Sequence, residues 1–374
     1  MRKFLVRLFI FSIPVFLILM LPLYVLWKNE ENFYRIDKLI TSKDKYLVGY
    51  GYNEYNYRYL KWAHLKNNPA KTVWALGASR VLEFRDRMFD SSFYNAGFTV
   101  NSINDYLPFL QSIPAEKYPR YLLLSLDHMM FNEACDSLRL TPSVSFWQGS
   151  FRLYPRLGVY QAAFKDVFSG KYPVISFGKK DTITRIGLNA EVNNTGFRND
   201  GSMQYGAQIP KLLSSDTTAD DYNYANTLER IRKGNMRFEY GKKVNEKALM
   251  ELDTLLGFCR NNHIEVIAFL PPFADKVYSS MINSGQYPYL DSLFTKIKAV
   301  HDTYGFEFYD FSNMSKCNST DTETIDGMHG SEATYIKLLI KMLESGSKLK
   351  QVTSLQKLKQ DEARKLNRYE VYSY

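Results

Sequence analysis

From residue 72 onward, short apolar runs alternate with longer amphipathic stretches, and this alternation limits the folds available to the chain. Five runs have the length and composition of strands: 72–76, 92–97, 121–127, 264–272 and 306–312. The third, YLLLSLD, is the kind of continuous apolar run that a strand buried on both faces shows. Strands that alternate with helices form βαβ units. The sequence therefore predicts an α/β fold with a mostly parallel five-stranded sheet covered on both faces.

The N-terminus carries a separate signal. About twenty uncharged, mostly apolar residues run from Leu8 to Trp27, which is enough to cross roughly 30 Å of hydrocarbon as a helix. Basic residues precede the run within 1–7 and two acids follow it at 30–31, so the positive-inside rule puts the N-terminus in the cytoplasm. A cleaved signal peptide is the alternative, but no small-x-small site follows. We expect a single-pass anchor over 1–30 in the inner (cytoplasmic) membrane, with the main domain periplasmic or extracellular.

Composition excludes some classes of protein. Of the 374 residues, 45% are apolar, which supports a packed core and argues against disorder. The net charge of +9 suits an anionic membrane surface or an acidic polysaccharide, and no nucleic-acid-binding motif accompanies it. The three cysteines allow at most one disulfide and show no metal-ligand spacing with the histidines. Cys259 lies in a helical run and is expected to be a small buried residue.

The predicted domain at 72–344 has three neighbouring segments of different character. A Tyr-rich lead-in at 31–71 is interpreted as irregular packed chain, with a membrane or carbohydrate contact as the alternative. The βαβ rhythm breaks at about 133–240, a stretch rich in Gly, Asn, Asp and aromatic residues. We interpret it as an insertion that forms a lid or substrate-facing cap. The charged tail at 345–374 predicts a solvated terminal helix, with a contact to a membrane surface or a partner as the alternative.

Chemistry-bearing residues follow several of the predicted strands. In open parallel sheets, ligands bind beyond the carboxyl ends of the strands. We therefore expect the functional residues among those that come directly after a strand. These residues are Ser79, Arg80, Asn95, Gly97, Asp127, His128, Asp326 and His329.

Ser79 follows the first strand through two small residues and precedes a stretch, 81–89, that is predicted to be helical. This position puts its hydroxyl at the edge of the sheet and its backbone N–H at a helix N-terminus. Such an N–H is suited to stabilising an oxyanion. The alternative is an ordinary N-cap, because Ser is one of the preferred capping residues.

The stretch IDGMHGSEA, 325–333, contains the second half of a candidate site. A serine hydroxyl needs a base to take its proton, and the base is usually a histidine that is oriented by a carboxylate. Asp326 and His329 are three residues apart and can meet within one turn of loop. The alternative is a surface loop in which Ser331 caps the last helix. His128, which follows the third strand, is interpreted as a core residue.

The ordered set of GASR, NAG, a polar residue at the end of the third strand, and DGMH resembles the SGNH (GDSL-type) hydrolases. It is more similar to the membrane-anchored SGNH-like proteins of cell-surface polysaccharide O-acetylation, relatives of the alginate acetyltransferase accessory proteins and of the D-alanyl transfer protein of teichoic acid. The resemblance covers about 72–132 and 245–344. It implies a flavodoxin-like three-layer sandwich with an N-terminal transmembrane helix and an inserted cap.

The resemblance implies a role for four residues in the matching motifs. Ser79 matches the nucleophile, with its N–H as an oxyanion donor. Gly97 matches the glycine of the second block, whose N–H is another donor. His329 matches the base, and Asp326 matches the carboxylate of the D-x-x-H block.

The third block departs from the hydrolase pattern. Where the hydrolases carry an Asn that donates to the oxyanion, this chain has SLDHMMFN, with Asp127 at the equivalent position. A carboxylate there repels an oxyanion unless it is protonated or turned away. Asn95 and Asn132 are possible substitutes. Arg80 either binds an acidic substrate or pairs with Glu83 or Asp127.

The resemblance implies an extracytoplasmic O-acyltransferase or esterase that acts through an acylated Ser79. The acyl group, expected to be acetyl, passes to a hydroxyl of a cell-surface glycan or to water. No cofactor is expected. A transferase outside the cytoplasm needs an acyl donor other than acetyl-CoA, so a multi-spanning membrane O-acyltransferase is an expected partner. The alternatives are a plain surface esterase and a non-catalytic SGNH-like scaffold in envelope polysaccharide assembly.

Overall fold

The computed structural model describes residues 1–31, 36–54, 56–136, 138, 156–172 and 182–374. The strands in these residues are β1 (Tyr46–Val48), β2 (Val73–Leu76), β3 (Phe93–Asn95), β4 (Tyr121–Ser125), β5 (Thr184–Ile186), β6 (Thr195–Phe197), β7 (Met203–Tyr205), β8 (Glu265–Leu270) and β9 (Glu307–Asp310). The α-helices are α1 (Arg2–Lys28), α2 (Ile36–Leu39), α3 (Asn56–Asn67), α4 (Tyr106–Gln111), α5 (Leu157–Phe168), α6 (Leu188–Asn193), α7 (Gln208–Leu213), α8 (Ala225–Lys233), α9 (Glu246–Asn261), α10 (Asp275–Asn283), α11 (Tyr289–Tyr304), α12 (Glu332–Glu344) and α13 (Leu355–Ala363).

The central sheet consists of the five strands that the sequence predicts. Their spatial order is β3-β2-β4-β8-β9, and every neighbouring pair is parallel. Counted along the chain, this is the order 2-1-3-4-5 of a flavodoxin-like doubly wound sheet, which reverses direction between its first and third strands. That reversal point lies between β2 and β4. The α/β prediction and its parallel five-stranded sheet are confirmed.

Each face of the central sheet packs against its own hydrophobic cluster. Successive side chains of a strand point to opposite faces. Trp74 and Leu76 of β2 accordingly lie in a cluster with residues of α4, α9 and α11, whereas Val73 and Ala75 lie in a cluster with residues of α12. The sheet is therefore the middle of three layers, and its β2 strand is buried on both faces, as its apolar sequence indicates.

A second sheet joins two segments that the sequence analysis treats separately. Its order is β5-β1-β6-β7. β1 belongs to the lead-in at 31–71, and the other three strands belong to the insertion at 133–240. The two segments form one unit because β1 contributes the strand that β5 and β6 flank. Parts of the predicted insertion, 137, 139–155 and 173–181, lie outside the described residues, and the domain boundaries stay a prediction.

A buried ionic cluster fastens the insertion to the central domain. Arg85, after β2, donates from Nε to Asp200 of the insertion at 3.2 Å and also pairs with Glu332 at the start of α12. Arg198 of the insertion contacts the same Glu332 carboxylate at 3.4 Å. Burial opposes ionisation of Asp200, but Arg85 and Arg198 hold its pKa below the ordinary value. A buried pair of this kind is costly to break, because the remaining charge is left without a partner.

The C-terminal tail differs from its prediction. Only Leu355–Ala363 is an α-helix, and Leu349, Val352 and Leu358 are buried in the same cluster as α12. The solvated terminal helix is therefore wrong. The apolar residues between the charges cover the outer side of α12, and this burial is worth more than the solvation of a free tail.

The N-terminal helix and the cysteines agree with expectation. α1 is long and apolar enough to cross a membrane, and its most apolar window is not buried by other parts of the described chain. Cys259 is buried as predicted. It forms no disulfide with Cys135 or Cys317, and all three thiols are free.

Candidate active site

Ser79 lies just beyond the end of β2, at the point where the strand order of the central sheet reverses. It opens a 3-10 turn (Ser79–Val81), and a second turn follows at Asp86–Met88. The helix predicted over 81–89 is therefore wrong. The physical reason is a side chain: the amide nitrogen of Asn95 donates to the carbonyls of Val81 and Phe84 at 2.9 and 3.1 Å. These carbonyls therefore accept from the Asn95 side chain in place of the backbone N–H groups that would bond to them in an α-helix.

Ser79, His329 and Asp326 form a continuous chain of hydrogen bonds. The oxygen of Ser79 lies 2.8 Å from Nε2 of His329. Nδ1 of the same ring lies 2.7 and 3.0 Å from the two carboxylate oxygens of Asp326. A carboxylate only accepts, so it selects the tautomer with the proton on Nδ1 and leaves Nε2 to accept from the Ser79 hydroxyl. The histidine and aspartate side chains keep 20% and 24% of their surface exposed, so a substrate has access from solvent.

The Asp326 carboxylate is held in its charged form. Burial opposes its ionisation, but the His329 ring and the N–H groups of Met328 and His329 lower its pKa below the ordinary value. Those two N–H groups donate to Oδ1 at 2.7 and 2.8 Å. The carboxylate therefore stays available to orient the imidazole and to stabilise it when it carries a second proton.

The loop around this pair is closed by contacts on both sides. The N–H of Ile325 donates to the carbonyl of His329 at 2.8 Å, and the N–H of Gly327 donates to Asp221 of the insertion at 3.2 Å. Gly327 has no room for a side chain, because a Cβ there would lie 2.9 Å from Cγ2 of Val277. Ser331 also accepts from the N–H of Thr334 and so caps α12. The stretch 325–333 therefore caps α12 through Ser331 and also carries the Asp326–His329 pair, and it is called the acid–base loop below.

The buried side chain of Arg80 connects several segments of the site. Its guanidinium donates to the carbonyl of Met328 at 3.0 Å, to the carbonyl of Pro271 at 2.8 Å and to Asp127 at 3.2 Å. It also lies over the Phe273 ring, 3.9 Å from the centroid. Because only 2% of its surface is exposed, Arg80 is a positioning residue that pairs with Asp127 and leaves no surface for an acidic substrate. It joins the ends of β2, β4 and β8 to the His329 loop.

The carboxylate of Asp127 is fully buried, and one of its oxygens is the Arg80 partner. The other oxygen has no hydrogen-bond partner among the described residues. The neighbouring His128 is equally buried, and within the described part of the chain neither of its ring nitrogens has a partner. Burial, together with the nearby charges of Arg80 and Lys316, lowers the pKa of His128 well below its ordinary value. His128 is the core residue that the sequence analysis describes.

Three of the predicted oxyanion donors are occupied. The N–H of Gly97 donates to the side-chain oxygen of Asn95 at 2.9 Å, and the amide of Asn95 holds the turn after Ser79. Asn132 donates to the carbonyl of Glu239 at 2.6 Å. By contrast, the backbone N–H of Ser79 has no hydrogen-bond acceptor in the described ranges. It is the donor that remains open to an oxyanion.

The sequence analysis missed two residues that position the site. Asp221 accepts the N–H of Gly327 and also caps the start of α8, through the N–H groups of Asn226 and Thr227. Tyr335 of α12 donates its hydroxyl to the carbonyl of Arg80. The contacts of Asp221 with Gly327 and of Tyr335 with Arg80 each join residues more than one hundred positions apart in the chain. Nothing in the local pattern around Asp221 or Tyr335 points to such distant contacts.

Comparisons of the chain with protein-family models, with curated proteins and with solved structures found no match. The structure therefore defines a class at the level of fold and site: an α/β protein with a parallel five-stranded sheet and a serine–histidine–aspartate arrangement at its carboxyl edge. The family resemblance and the catalytic roles stay predictions.

Proposed function

We propose that this chain is a membrane-anchored serine enzyme that carries an acyl group, most simply acetyl, on Ser79 and passes it to a hydroxyl of a cell-surface glycan or to water. The observation that supports the proposal is the hydrogen-bond chain from Ser79 through His329 to Asp326. The resemblance of GASR, NAG and DGMH to SGNH-type proteins supports the same reaction class.

The proposed reaction has two halves. The Ser79 oxygen attacks the carbonyl carbon of an acyl ester while its proton moves to Nε2 of His329. Asp326 stabilises the imidazolium, and the N–H of Ser79 donates to the oxyanion. Collapse of the tetrahedral intermediate breaks the ester bond, and the leaving alcohol takes the proton from His329. An acceptor hydroxyl or water then repeats the sequence on the acyl-serine, with His329 as base.

The membrane topology of the proposal follows from α1. Three basic residues, Arg2, Lys3 and Arg7, precede its apolar run, so the N-terminus lies in the cytoplasm and the central domain lies outside it. An external transferase needs an activated acyl donor. A multi-spanning membrane O-acyltransferase that delivers the acyl group across the membrane is the partner of this proposal.

A second candidate function is a non-catalytic scaffold in envelope polysaccharide assembly. It is favoured by the third block, where the expected donor is replaced by Asp127 paired with Arg80. It is also favoured by the occupied N–H of Gly97. In this case the Ser79 site would bind a glycan or an acyl group without forming a covalent bond to it.

The test uses the full chain purified in detergent. Asn29 and Glu31 at the end of α1 are buried against the domain, so an ectodomain cut at residue 30 would lose part of its own packing. The protein is assayed for hydrolysis of an aryl acetate and for labelling by a serine-reactive phosphonate. Ser79→Ala is the test variant, and Ser345→Ala, at an exposed serine, is the matched control.

Labelling at Ser79 together with hydrolysis that Ser79→Ala abolishes and Ser345→Ala retains is the expected result. An unlabelled and inactive wild-type chain contradicts the enzyme and leaves the scaffold. Adding a glycan acceptor separates the two enzyme reactions, because a transferase moves acetyl onto the glycan and an esterase releases only acetate.

A further inference from the structure

Helix α5 of the insertion lies alongside the part of α1 that is apolar enough to span a membrane. The hydroxyl of Tyr160 donates to the carbonyl of Leu19 in α1. Further along, Ala163 and Val167 pack in one hydrophobic cluster with Val25 and Leu26 of α1. The contact between the two helices therefore extends from the C-terminal end of α1 back to Leu19, within its apolar part.

The level of this contact can be measured along the axis of α1. Tyr24 and Trp27 are 44% and 60% exposed, and aromatic residues at the end of an apolar helix mark the membrane–water interface. Leu19 precedes Trp27 by eight residues, which corresponds to about 12 Å of helix. Tyr160 of α5 therefore reaches the level of lipid acyl chains rather than of water.

The outward side of α5 is apolar at this level. Leu157, Tyr160, Phe164 and Phe168 are spaced by three, four and four residues, so they form one stripe along the helix. Leu157 and Phe168 are 73% and 53% exposed. The rings of Phe164 and Phe168 are in contact, with centroids 4.5 Å apart. Exposed apolar side chains in a row are unfavourable in water and mark an interaction surface.

The position of α5 is tied to the rest of the domain. The carboxylate of Glu31, three residues after α1, accepts the N–H groups of Tyr52 and Leu188 at 2.8 Å each. The hydroxyl of Tyr52 in turn donates to Asp166 of α5 at 2.9 Å. These contacts hold α1, the lead-in and α5 together, so α1 is not joined to the domain by a flexible linker alone.

We propose that α5 is a second membrane contact, a helix that lies against α1 in the outer part of the bilayer with Leu157 and Phe164 among lipid acyl chains and Phe168 near the headgroups. The partner is lipid because the stripe continues the exposed apolar surface of α1 at the same level. Lys165 and Lys171 are exposed at the end of α5 nearer the domain, where lysines reach phosphate headgroups. The proposal does not depend on acyl chemistry at Ser79.

The consequence is a fixed height and tilt of the central domain above the membrane. A single spanning helix leaves rotation about its own axis open, whereas a second contact beside it removes that freedom. The face of the domain that carries α5 then always meets the membrane.

The test places a fluorescent probe on the full chain in nanodiscs of phosphatidylcholine. Cys135 is replaced by Ala, because Cys259 and Cys317 are buried. A nitrobenzoxadiazole probe is attached to a new cysteine in Leu157→Cys, with Phe164→Cys as a second labelling site. Quenching by lipids that carry a nitroxide on the acyl chain is compared with quenching by aqueous iodide.

Two labelled positions serve as controls. Phe11→Cys lies in the apolar part of α1 and is 73% exposed, and Met250→Cys lies on α9 and is 69% exposed. We expect the nitroxide lipids to quench the probe at 157, and likewise at 164, at least about twofold more than at 250, approaching the level at 11. Iodide is expected to show the reverse order.

Three outcomes overturn the proposal. Iodide quenching at 157 equal to that at 250, without lipid quenching, shows that α5 faces water. Weak lipid quenching at 11 shows that α1 itself is not in the bilayer. A probe at 157 that is exposed to iodide in nanodiscs but protected in native membranes shows that a protein partner, rather than lipid, covers the stripe.

Discussion

Two aspartate–histidine pairs lie at the carboxyl edge of the central sheet, and they do different things. In the loop after β9, both nitrogens of His329 have a partner, one of which is Asp326. In the turn after β4, Asp127 is bound to Arg80, and the ring of His128 is buried without a partner in the described residues. The first pair can move a proton to and from the surface. The second pair cannot, because His128 is closed off from solvent and resists protonation.

The spacing within each pair explains the difference. Asp127 and His128 are adjacent at the start of a 3-10 turn, and their side chains do not meet, because Asp127 turns to Arg80 while the ring of His128 has no partner in the described residues. Three residues of turn bring the side chains of Asp326 and His329 to the same side. The comparison shows that residue type and location at the sheet edge are insufficient to predict the role of a histidine. The hydrogen-bond partner of each ring nitrogen decides whether the ring can transfer a proton.

The largest contrast is expected when each histidine is removed. His329→Ala should lower kcat for an aryl acetate by about 10⁴- to 10⁶-fold, because Ser79 loses its base. His128→Leu should keep kcat within about tenfold, since a neutral buried ring takes no part in proton transfer. Steady-state kinetics on both purified variants measure the contrast. Equal losses in the two variants would place His128 in the catalytic machinery and break the comparison.

Substituting the two aspartates should have different effects, on activity for Asp326 and on stability for Asp127. Asp326→Asn should reduce kcat by about 10⁴-fold, because an amide no longer selects the Nδ1–H tautomer of His329. Asp127→Asn should instead lower the free energy of unfolding by about 3–5 kcal/mol, because Arg80 is left as a buried charge without its partner.

Denaturant unfolding and kcat are measured on both aspartate variants. The active fraction of Asp127→Asn is expected to retain a kcat close to that of wild type. A loss of kcat in Asp127→Asn at full folding would assign Asp127 to the reacting atoms instead of to the positioning of Arg80.

The pH dependence of stability should also distinguish the histidines. Burial lowers the pKa of His128 in the folded chain, so its stabilising contribution is present above the unfolded pKa of about 6.5 and is lost as the pH falls. At pH 5.5 the loss is about 1.4 kcal/mol. His64 and His301, with pKa values lowered to about 3 and about 4, contribute in the same direction.

His128→Leu should therefore flatten the fall in unfolding free energy between about pH 7.5 and 5.5 by that amount. Denaturant titrations at both pH values give the measurement, with wild type as the reference. An unchanged slope would mean that the ring of His128 is accessible to protons in the folded chain.

The smallest effect concerns the helix cap beside His329. Ser331→Ala should cost about 1 kcal/mol of unfolding free energy, because the N–H of Thr334 loses its acceptor. The activity should remain close to wild type, since Ser331 touches none of the three aligned side chains. A loss of activity comparable to that of Asp326→Asn would show that the cap and the acid–base loop are not separable.

Much of the fold and of the candidate site was accessible from sequence because the signals are local. The apolar runs at 121–127 and 264–272 contain β4 and β8, since continuous burial on both faces leaves a continuous apolar pattern. Ser79, Asp326 and His329 could be singled out because each comes after a strand. The two 3-10 turns after Ser79 could not be predicted, because they depend on Asn95, which reaches the turn from the end of β3.

The sequence by itself determined the alternation of strands and helices, the apolar α1 segment and the residue types at the sheet edge, because these depend on periodicity and composition within short windows. Only the tertiary structure decided that Arg80 turns inward to Asp127, that β1 pairs with the insertion, and that α5 lies beside α1. Each of these contacts joins residues far apart in the chain, and its free energy depends on burial and on partners that no local pattern contains.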